Sequence, residues 1–387
     1  MNHHGSSHTH SAIRVSAPRL VLGVLATFAM VFGIAEPGAA AADTVVETIP
    51  VGNSPRVVAI TPDGTRAYVP NQSDGTVSVI DTGTNTETTT VTVGSAPIGV
   101  AITPDGTRAY VTNFSDSTVS VIDTGTNMVS GVPIPVGPGP IAVEITPDGT
   151  RAYVANLFSD LVSVIDTGTN TEITTVTVGN NPEGLAITPD GSLVYVSNSD
   201  DDTVSMIDTD TNMVVGSPIS VGEVPVGVAV TPNGSRVYVT SVVDDKVSVI
   251  DTGTNTEIIT TTVGNAPFGV EITPNGAFAY VTNQNDGTVS VIDTHTSTVV
   301  ETITVGNDPY KLAITPNGAF AYVANRSDGT VSVIAIDQCT GSLCTGSGSL
   351  AGGGSMAGTG STGSGGTGSL AGGGSLAGGG STGSPAS

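Results

Sequence analysis

The chain has 387 residues, with 34 acidic and 10 basic side chains and a formal net charge of −24. A surface this acidic lacks the basic footprint that nucleic-acid binding requires, and it repels acidic bacterial surface polymers. After residue 42 the sequence holds two cysteines and one histidine, too few soft or imidazole groups for a zinc site.

Residues 1–42 are predicted to be a secretory signal peptide. Arg14 and Arg19 precede an apolar run at 20–35, and the alanines at 40–42 offer small residues for cleavage before Asp43. An uncleaved membrane anchor is the alternative. We therefore expect an exported bacterial protein, secreted or on the cell surface, with no membrane span after cleavage.

A unit of 42 or 43 residues recurs seven times in the central part of the chain. Each copy carries the signature Thr-Pro-Asp/Asn-Gly, followed by two short runs rich in β-branched residues. The signatures begin at Thr61, Thr103, Thr146, Thr188, Thr231, Thr273 and Thr315. Repeats of this length are typical of propellers, solenoids and other arrays.

Each repeat contains four predicted strands, which in the first copy are about 57–60, 67–69, 76–81 and 87–93. Seven four-stranded antiparallel sheets predict an all-β, seven-bladed β-propeller over residues 43–337. A linear solenoid is the alternative, but it would expose two sheet ends, and no atypical capping repeat is visible.

The two ends of the repeat region predict how the ring closes. The last repeat lacks a fourth strand and the turn that would lead to it. Residues 44–51 match the fourth strand of the sixth repeat, 298–305, at all but one position. We therefore expect the N-terminal strand to pair with 330–334 and complete the last blade.

Residues 338–387 are predicted to form a cysteine loop followed by a flexible tail. Cys339 and Cys344 are four residues apart, which in an exported chain favours a small disulfide loop. The sequence from 345 onward is rich in Gly, Ser, Thr, Ala and Leu and cannot bury a core. A spacer is one interpretation, and association with the cell wall is the other.

The motif Tyr-Val-Thr-Asn at 110–113 and 280–283 identifies a resemblance to a known family. Five further copies vary at one place, at 68–71, 153–156, 195–198, 238–241 and 322–325. The chain resembles the bacterial repeat family named after this motif, whose members are exported or surface-layer β-propellers. The resemblance implies a seven-bladed fold and no single activity. The layout is also similar to that of lactonase-type propellers, but no matching His or Arg cluster is present.

The seven tyrosines of this motif are predicted to pack between neighbouring blades, with each hydroxyl finding one partner. A ring of ligand-stacking groups is the alternative. The Asp-Thr-Gly-Thr-Asn turns are interpreted as hydrogen-bonded hairpin turns, since they lack the full ligand set of a calcium loop. We therefore predict no cofactor, with Ca²⁺ at acidic loops as the alternative.

Glu144 and Glu271 are candidate channel residues. Each replaces an alanine that recurs in the other first strands, which lie nearest the centre of a propeller. Two carboxylates there could act as acid and base or bind a cation. Solvated channel residues without chemistry are the alternative, since the third and sixth repeats lie on different sides of the ring.

Comparison of the seven copies predicts a variable face. Two connections hardly change between repeats, whereas the crossover between repeats and the connection between second and third strands vary strongly. By hairpin geometry both variable sets emerge on one side of the ring. Their apolar, aromatic and charged residues suggest an exposed binding surface, with neutral drift of loops as the alternative. The candidate ligand-binding residues are Arg56, Ile98, Phe114, Ile141, Leu157, Phe158, Glu183, Val242, Phe268, Tyr310 and Arg326.

These observations favour a non-catalytic binding or scaffold propeller, expected to be a monomer, that recognises a protein or a cell-envelope glycan through the variable face. One alternative is a lactonase-like or other hydrolase with its chemistry at the channel mouth, around Glu144, Glu271 and Arg326. Another is a structural protein that assembles into a surface layer.

Overall fold

The computed structural model describes residues 42–337, and this part of the chain contains thirty β-strands. The strands are β1 Thr44–Pro50, β2 Ala59–Ile60, β3 Arg66–Asn71, β4 Thr76–Asp81, β5 Thr86–Thr92, β6 Pro97–Ile102, β7 Arg108–Asn113, β8 Thr118–Asp123, β9 Met128–Val129, β10 Ile134–Pro135, β11 Pro140–Ile145, β12 Arg151–Asn156, β13 Leu161–Asp166, β14 Thr171–Thr177, β15 Pro182–Ile187, β16 Leu193–Asn198, β17 Thr203–Asp208, β18 Met213–Val214, β19 Ile219–Ser220, β20 Pro225–Val230, β21 Arg236–Ser241, β22 Lys246–Asp251, β23 Thr256–Thr262, β24 Pro267–Ile272, β25 Phe278–Asn283, β26 Thr288–Asp293, β27 Thr298–Thr304, β28 Pro309–Ile314, β29 Phe320–Asn325 and β30 Thr330–Ala335.

The strands form seven antiparallel sheets, which confirms the predicted seven-bladed propeller. Blades 1 to 6 follow the chain as β2–β5, β6–β10, β11–β14, β15–β19, β20–β23 and β24–β27. Blade 7 has the order β1-β30-β29-β28, so its outer strand comes from the N-terminal side. Thr44 pairs with Ala335 and Pro50 with Thr330, as the sequence predicted for ring closure. Pro50 is tolerated because the outermost strand has a free edge.

The outer strands of blades 2 and 4 differ from the expected continuous fourth strand. Each is split into two pairs of residues, β9 with β10 and β18 with β19. The break contains Gly131 and Gly216, whose φ angles are 76° and 72°. A residue with positive φ cannot continue a strand, so the chain leaves the sheet and re-enters it after four intervening residues.

The seven motif tyrosines form the centre of the inter-blade core. All are buried, and six of the hydroxyls donate to a side-chain oxygen in a neighbouring blade, as Tyr68 does to Asn127 Oδ1 at 2.7 Å. In most blades the acceptor is the asparagine of the Asp-Thr-Gly-Thr-Asn turn, which has positive φ. The repeated turn therefore serves the packing of the adjacent blade.

Tyr238 is the exception among these tyrosines. The turn that faces it ends in Ser297 instead of asparagine, and the buried Tyr238 hydroxyl has no hydrogen-bond partner within residues 42–337. A serine side chain is too short to take the place of the asparagine amide.

The aspartates of the unvarying turns are occupied by their own loops. Asp63 Oδ1 accepts hydrogen bonds from Thr65 N at 3.0 Å and from Thr61 Oγ1, and Asp81 Oδ1 accepts from Thr84 N at 2.8 Å. These donors lower the pKa of both carboxyls. The motifs therefore stabilise turns.

Candidate functional site

The two variable connections of each blade lie together on one face of the ring. In every blade the residue that follows the second strand donates its backbone N–H to a carbonyl of the crossover loop, as Phe114 does to Ala96 at 3.1 Å and Arg326 to Asp308 at 3.0 Å. This contact explains why the two sets emerge on the same side, as the hairpin geometry predicted.

In the channel wall below this face, hydrogen bonds couple two positions of the repeat. In four blades the third residue of the innermost strand is glycine, and its N–H donates to a hydroxyl on the second strand, for example Gly99 to Thr112 Oγ1 at 2.8 Å. The hydroxyl in turn donates to the next innermost strand, as Thr240 does to Phe268 O at 2.8 Å. A Cβ at Gly99 would lie 2.5 Å from the Ile141 carbonyl oxygen, so only glycine fits there.

Blades 1, 3 and 7 lack this coupling. In these blades the third residue of the innermost segment, counted from its proline, carries a side chain. The second strand has Pro70, Ala155 and Ala324 where the other four blades have Thr or Ser. The corresponding inner residues are Val57, Ala142 and Lys311. The variation in the third letter of the Tyr-Val-Thr-Asn motif is thus the reason why Lys311 can stand in the channel wall.

Lys311 lies among three carboxylates from different blades. It lines a cavity of about 310 Å³ in the channel together with Glu144 and Glu271. The charge of Lys311 also reaches Glu183, at the start of β15, where it opposes the rise in pKa that burial causes. The ring is narrow enough at this level for the charge of Glu144 to raise the pKa of Glu271. Although the third and sixth repeats lie on different sides of the ring, Glu144 and Glu271 thus line the same cavity.

Enclosure by protein shifts the titration of all four groups. Glu144 is accessible to channel water, yet the surrounding protein raises its pKa to about 7, against the opposing charge of Lys311. Burial also raises the pKa of Glu183 to about 7, and burial together with the charge of Glu144 raises that of Glu271 to about 8. Burial lowers the pKa of Lys311, while the three carboxylates oppose this shift.

Arg56 and Tyr310 form a cationic and aromatic platform at the channel mouth. The Arg56 guanidinium lies 4.5 Å from the centre of the Tyr310 ring, and its Nε donates to Gln72 Oε1 at 2.7 Å. Tyr310 also packs against Phe268, with 4.0 Å between ring centres. Burial raises the pKa of the Tyr310 hydroxyl, so it stays a neutral donor.

Arg326 adds a second guanidinium beside this platform. Its Nε forms an ion pair with Asp308 Oδ2 at 2.6 Å, and its charge contributes to lowering the pKa of Arg56 after the larger effect of burial. The Arg326 side chain is 37% exposed, so part of the guanidinium remains open to a ligand.

The distribution of the basic residues shows that this cluster is unusual. Residues 42–337 contain eight Lys and Arg side chains. Four of the arginines donate Nη1 to a threonine carbonyl of the adjacent blade: Arg66, Arg108, Arg151 and Arg236. Of the remaining four, three lie at or below the channel mouth on blades 7 and 1, and Lys246 is the fourth.

Several candidate residues of the variable face are not exposed as expected. Ile98, Ile141 and Tyr310 are only 4%, 8% and 4% exposed. A β-bulge at the start of most innermost strands, such as that between Pro97 and Val100, turns the second residue of the strand into the blade interface. Ile98 and Ile141 therefore belong to the core, whereas Tyr310 is covered by the side chains of Arg56 and Phe268.

The other rim residues mostly pack on one another. Phe114 contacts Phe158 edge to face, with 5.3 Å between ring centres, and Leu157 packs against the core of blades 2 to 4. Val242 is half-buried, and Phe158 keeps 65% of its surface exposed. The most exposed apolar side chains of this rim are therefore Phe158 and Val243, which lie on blades 3 and 5.

Two further findings concern metal ions and membrane-spanning helices. Within the described propeller no group of three His, Cys, Asp or Glu side chains is placed to hold a metal ion. No helix in residues 42–337 is long and apolar enough to cross a membrane. The predicted disulfide of Cys339 and Cys344, the tail, and all of the predicted signal peptide except Ala42 lie outside the described residues.

Lys311 was not among the residues predicted from the sequence, although the repeats contain a signal for it. Lys311 is the one basic residue at the third inner position of the seven repeats, just as Glu144 and Glu271 are the acidic exceptions two residues later. Applying the same comparison to this position would have found it.

A family model described as "Lactonase, 7-bladed beta-propeller" matches residues 81–218 and 228–357. No curated protein matches the chain by sequence. Among solved structures, hydrazine synthase of Kuenenia stuttgartiensis is similar, with a TM-score of 0.68 and 24% identity over 73% of this chain and 96% of that chain. At this identity the likeness supports the fold alone. Because the family match spans more than half of the chain, this protein belongs to the seven-bladed β-propeller Lactonase family.

Proposed function

We propose that this protein binds a small organic acid at the mouth of its channel, on the platform formed by Arg56, Tyr310 and Arg326 and above Lys311. The observation that carries the proposal is the clustering of three basic side chains at one place in a chain with a net charge of −24. A carboxylate is the natural partner of such a group, because guanidinium and ammonium donors form strong, charge-assisted hydrogen bonds with it.

The site combines features of a small-molecule pocket. Tyr310 and Phe268 supply an aromatic wall, while the basic groups and Glu183 supply polar anchors. Concave sites of this type are mostly apolar with a few convergent polar groups. The carboxylates deeper in the channel would recognise hydroxyl groups of the ligand, so a hydroxy acid fits better than a simple one.

The variable face remains the binding face in this proposal, but the ligand changes from a macromolecule to a small acid. Recognition of a protein or a glycan needs a continuous exposed patch with central aromatic anchors. Here the aromatic residues are paired with one another, as Phe114 with Phe158 and Phe268 with Tyr310. We therefore place the ligand in the channel mouth.

The test is a calorimetric titration of the protein with aldonic, uronic and other hydroxy acids and with their lactones. The variant Lys311→Met is expected to weaken the binding of the best acid about 10- to 100-fold, the effect of losing one hydrogen bond to a charged group. Lys246→Met is the matched control, since it removes the only other lysine of the chain from a position that does not line the channel. Equal effects of the two substitutions would refute the site.

Hydrolysis of a lactone is the second candidate function, and it is favoured by the carboxyl groups of Glu144 and Glu271, with pKa values of about 7 and 8. A general base works best when its pKa lies near the working pH. One ionised carboxylate would take a proton from water as the water oxygen attacks the lactone carbonyl. The Lys311 ammonium would stabilise the oxyanion. The ring C–O bond would then break, and the leaving oxygen would take up the proton held by the carboxyl.

A pH-stat assay of lactone opening with Glu144→Gln, Glu271→Gln and the double variant tests this reaction. Loss of turnover by at least about 100-fold in one single variant is expected if a carboxyl acts as the base. Acid binding without any lactone opening by the unchanged protein would reject hydrolysis and leave the binding proposal in place.

A further inference from the structure

The start of the propeller is anchored in a cluster of oxygen groups between blades 6 and 7. Asp43 is only 8% exposed, whereas the preceding Ala42 is open to solvent. The Asp43 carboxylate accepts hydrogen bonds from the Tyr280 hydroxyl and, at 2.6 Å, from the Asp337 N–H. The Asp43 nitrogen itself donates to Glu301 Oε2 at 3.3 Å.

Asp43 occupies the place that an asparagine holds in most other blades. The hydroxyl of each motif tyrosine usually bonds to the turn before the outer strand of the next blade. Blade 7 has no such turn, because its outer strand arrives from the N-terminal side. Asp43, directly before β1, accepts the Tyr280 hydrogen bond instead.

The cluster carries excess negative charge around the Asp43 nitrogen. Three carboxyl groups, those of Asp43, Glu301 and Asp337, and the Tyr280 hydroxyl converge there. Burial and the charges of Asp43 and Asp337 raise the pKa of Glu301, while the Asp43 N–H opposes this shift. Within residues 42–337 no Lys, Arg or His side chain forms an ion pair with Glu301. A cation at the Asp43 nitrogen would relieve this repulsion.

We propose that hydrolysis of the Ala42–Asp43 bond creates an α-ammonium group on Asp43 that pairs with Glu301 and strengthens the closure of the ring. Water adds across the amide, the C–N bond breaks, Ala42 leaves with the new carboxylate and the Asp43 nitrogen takes up the protons. The alanines at 40–42 are the small residues that such processing requires. The inference is independent of the proposed ligand site.

The ion pair has a definite pH dependence. An α-amino group has an ordinary pKa of about 8, and pairing with Glu301 raises it in the folded protein. The stabilisation is therefore complete between the pKa of Glu301 and about pH 8. It is lost as the pH rises through the raised pKa of the ammonium and also as the pH falls through the pKa of Glu301. Uncleaved protein, with a neutral amide at this nitrogen, lacks this dependence.

The test compares a protein that starts at Asp43, released from a fusion without extra residues, with one that keeps residues 40–42. We expect the first to have a Tm higher by about 1–3 °C at pH 7, with the difference lost at pH 10. Labelling of the α-amino group as a function of pH, followed by mass spectrometry, should give a pKa above about 8.

The variant Glu301→Gln should remove both effects. Glu47→Gln is the matched control, because Glu47 holds the same place in the matching strand β1 and is exposed. A Tm difference that survives Glu301→Gln, or no difference at pH 7, overturns the proposal. Export of the full chain by a bacterial host gives a second readout, since a mature protein that starts at any residue other than Asp43 also overturns it.

Discussion

Replacing Glu271 by glutamine tests whether the channel carboxyls are held in an unfavourable environment. The pKa of Glu271 is about 8 in the folded protein and about 4.3 in an unfolded chain. Between these values the folded state binds more protons than the unfolded state. The free energy of unfolding therefore falls as the pH rises through this window, and the cost is complete above about pH 8.

The size of the effect follows from the shift. One pKa unit corresponds to about 1.4 kcal/mol, so the full shift would cost roughly 5 kcal/mol in a dry site. Glu271 faces channel water, which screens its charge. We therefore expect Glu271→Gln to be more stable than the unchanged protein by about 1–2 kcal/mol at pH 9 and equally stable at pH 4.

Thermal unfolding followed by circular dichroism at pH 4, 6 and 9 measures this difference. Glu257→Gln, on the exposed outer strand β23, is the control and should leave the Tm unchanged at each pH. A Glu271→Gln variant that is less stable than the unchanged protein at pH 9 would refute the reasoning, since it would mean that the ionised carboxylate contributes more through Lys311 than its burial costs.

Two further predictions concern the packing of the blades. Ser297→Asn should give the buried Tyr238 hydroxyl the acceptor that it lacks and should raise the free energy of unfolding by about 1 kcal/mol. The φ of 55° at Ser297 also suits asparagine. Urea denaturation measures the gain, and the reasoning fails if the gain is as large in a Tyr238→Phe background. Gly184→Ala should cost at least about 2 kcal/mol, because the new Cβ would lie 2.0 Å from the Val226 carbonyl oxygen. Ala142→Gly, at the same position of a blade without the coupling, should change the stability by less than about 1 kcal/mol, and equal costs in the two blades would contradict the coupling.

The architecture could be predicted from the sequence because the same four-stranded unit recurs seven times. Hairpin turns, strand lengths and the displaced strand at 44–51 all follow from local chemistry that each copy repeats, and the pairing of β1 with β30 confirms the closure. The split of the outer strands in blades 2 and 4 was not predicted. These strands begin where a fourth strand is expected, and Gly131 and Gly216 break them only after their first residues.

The candidate site was predicted less completely, for a reason that lies in strand geometry. Copy comparison correctly separated variable from unvarying connections, and it singled out Glu144, Glu271, Arg56 and Arg326. It could not show that a bulge turns Ile98 into the interface and leaves it 4% exposed. Alternation alone predicts which residues share a face only where the register is regular.

The proximity of Glu144 and Glu271 could not be read from the sequence either. Their distance in the fold depends on the width of the channel, which is set by the approach of neighbouring inner strands at the four coupled glycines. Only the folded ring shows that the charge of one glutamate reaches the other and that Lys311 faces both.

A crystal structure of the protein with the tightest-binding hydroxy acid tests most directly whether the ligand site lies at the channel mouth. We expect a ligand carboxylate within about 2.7–3.2 Å of Lys311 Nζ or of the guanidinium groups of Arg56 and Arg326. A ligand bound instead on the outer rim, against Phe158 and away from the channel, would contradict the claim.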